Sequence, residues 1–160
     1  MKKKKLILLA LIISLLAIGA GCAKQNIPTT IDYYVPKNIA AYMQAEEAYS
    51  QTLQGADPAL TVEYVKNTTP INSAESKMLT AAQAAVVLLP AGGGPAHANI
   101  VYLKLVGTTA YVMLDIDFNG WAGVSAVKAA IKPVIEKNIL QFPEVKNVVF
   151  GPAPGDTKKN

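Results

Sequence analysis

The chain has 160 residues, 51% hydrophobic and 16% charged, which is enough for one compact domain with its own core and too few for two. Four lysines at positions 2–5 account for the formal charge of +4, and the rest of the chain carries 11 lysines against 11 acidic residues. This neutral remainder gives no support to nucleic-acid binding or to electrostatic attachment to anionic lipid.

The N-terminus has the order of a signal peptide. The lysines are followed by an apolar run from Leu6 to Ala20 and then by small residues before Cys22. A spanning helix needs about 20 apolar residues. This run has only 15. We therefore predict a cleaved signal peptide over residues 1–21 rather than an uncleaved membrane anchor.

Cys22 is the single cysteine, so the chain has no internal disulfide. A buried or unpaired thiol is one interpretation. The stretch from Ile18 to Cys22 resembles the lipobox of bacterial lipoproteins, although Gly19 stands where that family usually has an aliphatic residue. The resemblance implies a fatty-acylated Cys22, a tether over residues 22–30, and attachment to the extracytoplasmic face of the cell membrane.

The first half of the predicted domain, residues 31–59, contains a strand and a helix. Ile31 to Val35 is β-prone and stops at Pro36. Apolar residues recur near the helical period between Asn38 and Gln54, which predicts an amphipathic helix. Its apolar positions are Ile39, Tyr42, Met43, Tyr49 and Leu53, with Glu46 and Glu47 among them.

The second half, residues 60–151, has a regular order of elements. We predict a strand over Leu60–Lys66, then a helix opened by a capping box of Asn72 and Glu75. That helix carries Leu79, Ala82, Val86 and Leu89 on its buried face. Two β-prone runs, Asn99–Val106 and Ala110–Phe118, flank Gly107-Thr108-Thr109 and predict a hairpin.

A last helix and strand complete the predicted domain. The helix begins near Val124 and has one apolar stripe, and Pro133 falls off that stripe on the wet side. Pro143 closes the helix, Val145–Phe150 reads as a strand, and residues 152–160 form a polar tail. The order of elements predicts an α+β fold of the split βαβ type, with one sheet, two helices packed on one face, and an N-terminal strand and helix.

Asp115, Asp117, Asn119 and Gly120 match the first ligand positions and the glycine of an EF-hand loop. The residue in the twelfth position is Ala126, which cannot ligate calcium, and the upstream segment alternates like a strand rather than a helix. Because the bidentate glutamate is the strongest ligand of such a loop, we favour a structural turn over a weak calcium site.

No catalytic motif or cofactor motif stands out. His97, the single histidine, lies in a glycine-rich loop with no neighbouring metal-ligand residues, so an exposed loop position is favoured over a metal site. A Gly-x-Ser-x-Gly elbow and a Gly-Lys-Ser/Thr phosphate loop are both absent from the sequence. We therefore predict a protein that is not an enzyme and has no cofactor.

The C-terminal segment resembles a known family. Val127-Lys128-Ala129-Ala130-Ile131, followed by Leu140–Phe150 with its Gln-Phe-Pro and Val-Lys-Asn-Val words, is similar to the end of a GerMN domain. Val112–Asp117 and Ala74–Leu89 fit that family's strand and first helix. The resemblance covers about residues 60–151 and implies a sporulation- or germination-like envelope lipoprotein that binds other envelope proteins or itself.

These observations predict a lipid-anchored envelope protein with a non-enzymatic interaction or assembly role. Its expected partners are the membrane, through Cys22, and envelope proteins or further copies of the chain. The alternative is a small-ligand or calcium-binding module that uses the Asp115–Gly120 turn and the Gly92–His97 loop.

Overall fold

The computed structural model of the protein describes residues 29–71, 75–89, 98–116 and 124–156. These residues form five strands and four helices in the following chain order. The elements are β1 (Thr30–Pro36), α1 (Ile39–Thr52), α2 (Pro58–Thr61), β2 (Tyr64–Pro70), α3 (Lys77–Val86), β3 (Ala98–Val106), β4 (Thr109–Ile116), α4 (Val124–Ile139) and β5 (Asn147–Phe150). The α+β class predicted from the sequence is confirmed.

Helix α1 begins and ends at clear local signals. The Asn38 side chain accepts a hydrogen bond from the Ala41 N–H at 3.0 Å, which satisfies one of the free amides of the first turn. At the other end Leu53 adopts the left-handed conformation (φ 52°) and donates its N–H to Tyr49 O at 2.7 Å. Leu53, predicted as one of the apolar positions within this helix, instead lies at its C-cap and is 73% exposed.

The segment after α1 differs from the predicted strand over Leu60–Lys66. Residues Pro58–Thr61 form the short helix α2, capped by Asp57, whose carboxylate accepts the Ala59 N–H at 2.9 Å. Proline in the first helical position and an aspartate before it favour a helix start over a strand. Strand β2 begins only at Tyr64.

Helix α3 begins later than the capping box predicts. Ser76 is the N-cap and its hydroxyl accepts the Leu79 N–H at 3.1 Å, while Asn72 lies outside the described residues. The predicted inner face is confirmed for Ala82, Val86 and Leu89, which have no exposed surface. The helix ends at Val86, so Leu89 fills the core from the turn that follows.

The predicted hairpin is confirmed, with strands β3 and β4 joined by a two-residue turn at Gly107-Thr108. Gly107 has a φ of +60°, a conformation that glycine adopts at no steric cost. The register shifts between Ile100 and Tyr102, so Val101 is an extra residue on β3. The helix α4 then crosses over to β5, which runs parallel to β4.

The strands form two sheets and not the single sheet that the element order predicts. β1 pairs with β2 in one sheet, and the other sheet has the order β3-β4-β5. The edge of β1 opposite β2 is closed by α4, because the Asn138 side chain accepts the Tyr34 N–H at 2.8 Å and donates to Tyr34 O at 2.7 Å. Gln141 donates to Asp32 O on the same edge at 3.1 Å. The side-chain amides of Asn138 on α4 and of Gln141 in the turn after it therefore occupy the place of a neighbouring strand.

The core lies between the helices and the inner faces of both sheets. α4 contacts α1, α3 and β1, and α3 contacts β1 and β3. The largest fully buried side chains lie on α4, on α3 and in the turn after α3, and they include Leu89, Ile131, Ile135, Ile139, Val86 and Val134. Pro133 lies off this stripe, as predicted, but it is half-buried rather than on a fully exposed face.

The first residues of the predicted polar tail lie against the outer face of the three-stranded sheet. Ala153 is buried, and its N–H donates to the Tyr102 hydroxyl oxygen at 3.2 Å. Asp156 accepts hydrogen bonds from the Tyr102 hydroxyl at 2.7 Å and from Lys104 Nζ at 2.8 Å. The hydrogen bond from Lys104, and to a lesser extent that from Tyr102, holds the pKa of Asp156 below its usual range.

Candidate functional sites

The predicted calcium loop is described at one position only. Asp115 is exposed near the end of β4, opposite Asn99 on β3, while the neighbouring Leu114 packs against the core. Asp117, Asn119 and Gly120 lie outside the described residues. Within the described part of the chain, no three His, Cys, Asp or Glu side chains are grouped closely enough to hold a metal ion. The calcium alternative stays a prediction.

Two further predicted positions, Cys22 and His97, also lie outside the described residues. No helix within the described ranges is both long and apolar enough to cross a membrane. The lipidated anchor therefore stays a prediction that depends on the sequence.

One buried carboxylate lies on α1. Glu46 is 3% exposed, and its Oε1 atom has no hydrogen-bond partner among the described residues. Buried polar atoms without a partner are rare, because losing water without replacing its hydrogen bond costs about 1–3 kcal/mol. The pKa of Glu46 is raised, mainly by burial and further by the charge of Asp57.

Two donors close to Glu46 donate to other acceptors. The Tyr42 hydroxyl, one helical turn earlier, donates to Ala130 O on α4 at 2.8 Å. The Ala59 N–H donates to Asp57 Oδ1 at 2.9 Å. Both groups are close enough to lower the pKa of Glu46, but burial outweighs them. Among the described residues, Oε1 of Glu46 therefore has no hydrogen-bond partner.

Tyr64 on β2 interacts electrostatically with Glu46. Burial, with added repulsion from Glu46 and Glu136, raises the pKa of Tyr64 to about 12. Lys137 Nζ lies 5.8 Å from the centre of the Tyr64 ring and 5.3 Å from that of Tyr34. This lysine stacks on aromatic faces and forms no salt bridge with an acidic group in the described residues.

Glu46 lines a cleft of about 270 Å³ between α1, α2 and α4. The other side chains around it are mainly apolar or small, with one further carboxylate, Asp57. The lining residues are Glu46, Tyr49, Ser50, Leu53, Asp57, Ala59, Ala129 and Pro133. A second cleft of about 290 Å³ lies on the other side of Tyr42, where Lys37 and Glu63 form an exposed ion pair at 3.0 Å.

The spacing of residues along α1 contains a signal for Glu46. Tyr42, Glu46 and Ser50 are spaced by four residues, and Tyr49 follows Glu46 by three, so all share one face of α1. A carboxylate on that face is either buried against the rest of the protein or paired with a neighbouring residue. Periodicity alone does not distinguish these two cases, because they depend on where α2 and α4 lie.

The second candidate surface is the outer edge of β3. Its first half is closed by α3, since Gln83 Oε1 accepts the Ile100 N–H at 2.7 Å and Gln83 Nε2 approaches Ala98 O at 3.4 Å. Beyond the bulge at Val101 no described residue pairs with this edge. Val101 is 59% exposed, and Leu105 and Val106 are exposed as well.

Comparison with known proteins finds no relative of this chain. No protein-family model, no curated protein and no solved structure matches this chain. The resemblance to GerMN domains therefore stays a prediction from the sequence, and it gains no support from these comparisons.

Proposed function

We propose that the protein is a non-enzymatic, lipid-anchored cell-envelope protein whose domain self-associates through the outer edge of β3. The anchor rests on the order of basic, apolar and small residues before Cys22. The self-association rests on one structural observation: the second half of β3 has an edge that no described residue pairs with, and its apolar side chains are exposed.

Sheet edges without a partner favour pairing with another strand, and soluble proteins usually block them with lysine, proline or a covering segment. The only lysine on β3 is Lys104, and Asp156 holds it through two hydrogen bonds at 2.8 and 2.9 Å. Asp156 therefore neutralises the charge of Lys104, so this lysine does not oppose pairing at the edge of β3. Val101 and Leu105 supply apolar contacts on either side of it.

A second copy of the chain is the occupant that fits this edge best. Two β3 strands that pair antiparallel about a two-fold axis present the same patch to each other, which is the commonest symmetry of homodimers. The balanced charge of the chain after residue 21 gives no net repulsion between copies. The resemblance to GerMN domains implies the same type of role by analogy only.

Sedimentation velocity of the chain from Asn26 onward tests the self-association. We expect a concentration-dependent dimer that Leu105→Lys abolishes, because a charge on the edge opposes pairing. Leu60→Lys is the matched control: Leu60 is 84% exposed on α2, in a different part of the molecule, so this variant should dimerise normally. A strict monomer at all concentrations would contradict the proposal, and capture of another envelope protein by the same edge would replace the second copy as partner.

The mass of the mature N-terminus tests the anchor. We expect a chain that begins at Cys22 and carries two or three fatty acyl chains. A Cys22→Ala variant should retain its leader and lose the added mass. An intact leader with a free thiol in the native protein would contradict the envelope location.

A further inference from the structure

The open half of the β3 edge offers a partner strand only a short run of backbone groups. The two-residue turn makes Val106–Thr109 the last hydrogen-bonded pair of the hairpin. Because pairing alternates along an antiparallel strand, the N–H and C=O groups of Leu103 and Leu105 point away from β4. The bulge at Val101 interrupts the strand before them. A strand that pairs with this edge therefore bonds to Leu103 and Leu105.

Two-fold symmetry then selects one register for two copies of β3. Both residues are used in both copies when Leu103 of each copy faces Leu105 of the other. This register places Lys104 directly opposite the Lys104 of the second copy. Such a non-hydrogen-bonded pair has its Cα atoms about 4.5 Å apart and its side chains on the same face of the sheet.

A carboxylate lies beside the point where the two lysines meet. Like charges directly opposite each other on neighbouring strands are destabilising. In each copy, Lys104 Nζ donates to Asp156 Oδ2 at 2.8 Å and to Oδ1 at 2.9 Å, and the Tyr102 hydroxyl donates to the same carboxylate at 2.7 Å. These bonds raise the pKa of Lys104 and lower that of Asp156, so both groups are charged at neutral pH.

The position of this carboxylate depends on the C-terminal segment, residues 151–156. The Gly151 N–H donates to Val112 O on β4 at 2.9 Å, and Ala153 is buried and donates to the Tyr102 hydroxyl oxygen at 3.2 Å. The Asp156 N–H closes the following turn on Ala153 O at 3.0 Å. The negative charge is therefore beside Lys104 only while this segment lies on the sheet.

We propose that Lys104 and Asp156 of two copies form a cluster of four alternating charges across the two-fold axis. This inference rests on the proposed self-association through β3. The charge cluster fixes the register of the two strands and makes dimer formation conditional on the C-terminal segment. When that segment is released or removed, the two lysines repel each other, and Lys104 protects the edge as an exposed lysine does in other sheets.

Cross-linking tests the register. In the full chain, Lys104→Cys combined with Asp156→Asn removes both charges and should give a disulfide-linked dimer, because the paired Cα atoms lie within disulfide range. Val106→Cys is the control, since this register separates the two copies of Val106 by about 13 Å, beyond the limit of about 7 Å. The native chain shows any cross-link through Cys22. Equal cross-linking through positions 104 and 106 would overturn the register.

Asp156→Asn tests the charge, because the asparagine oxygen still accepts the hydrogen bond from Tyr102. Sedimentation equilibrium of the full chain in neutral-detergent micelles should show a dimer dissociation constant raised by about fivefold or more, since each dimer then has two lysines without a counter-charge. Asp32→Asn is the matched control. Asp32 forms an exposed ion pair with Lys66 at 3.2 Å on the other sheet, so this variant should dimerise like the native chain.

Two rescues separate charge from structure. Lys104→Met in the Asp156→Asn background removes the repulsion, so the double variant should dimerise at least as tightly as the native chain. Salt at about 1 M should also restore the dimer of Asp156→Asn, because the Debye length falls to about 3 Å. Failure of either rescue would show that Asp156 acts through the fold and would overturn the charge cluster.

The same measurements distinguish this inference from the proposed self-association. A native chain that stays monomeric at all concentrations overturns both. A native dimer that Leu105→Lys abolishes and Asp156→Asn leaves unchanged supports pairing at the β3 edge and overturns the charge cluster alone.

Discussion

At the scale of single residues, Asn138 has the widest structural effect. It is fully buried on α4 and makes three hydrogen bonds, two to Tyr34 on β1 and one to Val134 O on its own helix. An amide side chain can serve both a donor and an acceptor of one residue, which neither a carboxylate nor an amine can do. Asn138 thereby joins the two-stranded sheet to the helix that precedes β5.

We expect Asn138→Leu to lower the free energy of unfolding by about 2–4 kcal/mol, because the N–H and C=O of Tyr34 lose their partners. Urea unfolding of the chain from Asn26 onward measures this change. Asn67→Leu on β2 is the control, since Asn67 is exposed and a surface substitution usually changes stability by less than about 0.5 kcal/mol. Similar values for the two variants would contradict the role given to Asn138.

Glu46 gives a prediction about pH. Burial raises its pKa in the folded state above the ordinary value of about 4.3. The folded protein therefore keeps a proton that the unfolded chain has lost, and stability falls as pH rises above the unfolded value. In Glu46→Gln this contribution is absent, so the variant should gain stability relative to the native chain as pH rises.

Unfolding midpoints from about pH 4 to pH 8 measure this difference. Some loss with rising pH should remain in Glu46→Gln, because burial also raises the pKa of Glu136. Glu47→Gln should follow the native chain throughout. A constant difference between Glu46→Gln and the native chain at every pH would show that Glu46 does not titrate abnormally.

At the scale of elements, the close packing of α3 depends on its small residues. Ala81, Ala82 and Ala85 have no exposed surface, and the helix contacts α4, β1 and β3. Protein interiors have few voids, so a larger side chain at such a position must displace its neighbours. The narrow alanine face is therefore what allows one short helix to contact both sheets.

We expect Ala85→Leu to destabilise the protein by about 1–3 kcal/mol through overpacking, despite the added apolar surface. Ala48→Leu on α1 provides the comparison, because Ala48 is exposed and helical and should tolerate leucine. Thermal unfolding followed by circular dichroism reports both. A more stable Ala85→Leu protein would reveal unfilled space beside α3.

At the scale of the whole molecule, the C-terminal segment closes the outer face of the three-stranded sheet. Ala153 and Asp156 are bonded to Tyr102, and Asp156 also holds Lys104. These contacts span more than fifty residues of sequence, so they form only when the hairpin and β5 are both in place.

A chain that ends at Gly151 should therefore be less stable and should bind a hydrophobic dye, because Tyr102 and its neighbours lose their cover. A chain that ends at Asp156 keeps the described contacts and is the control. Dye fluorescence together with urea unfolding distinguishes the two. Identical behaviour of both truncations would mean that this segment does not contribute to the fold.

Local patterns predicted much of the fold correctly. The sequence predicts α1 and α4, the hairpin around Gly107 and the buried face of α3. Each of these features depends on residues that are close in sequence. The helix at Pro58–Thr61 differs from the predicted strand because Asp57 and Pro58 start a helix there, whereas the strand-like alternation holds only from Val62 to Lys66. The sheet count was wrong because Asn138 and Gln83 bond to strand edges from distant helices.

The sequence by itself determined the neutral charge after residue 21, the positions of α1, α4 and the hairpin, and the N-terminal pattern that predicts a lipid anchor. Only the tertiary structure decided that the strands divide into two sheets and that Glu46 is buried with one carboxyl oxygen unpaired among the described residues. The physical reason is range: helix and turn preferences act within a few residues, whereas burial and edge closure depend on which distant segments meet.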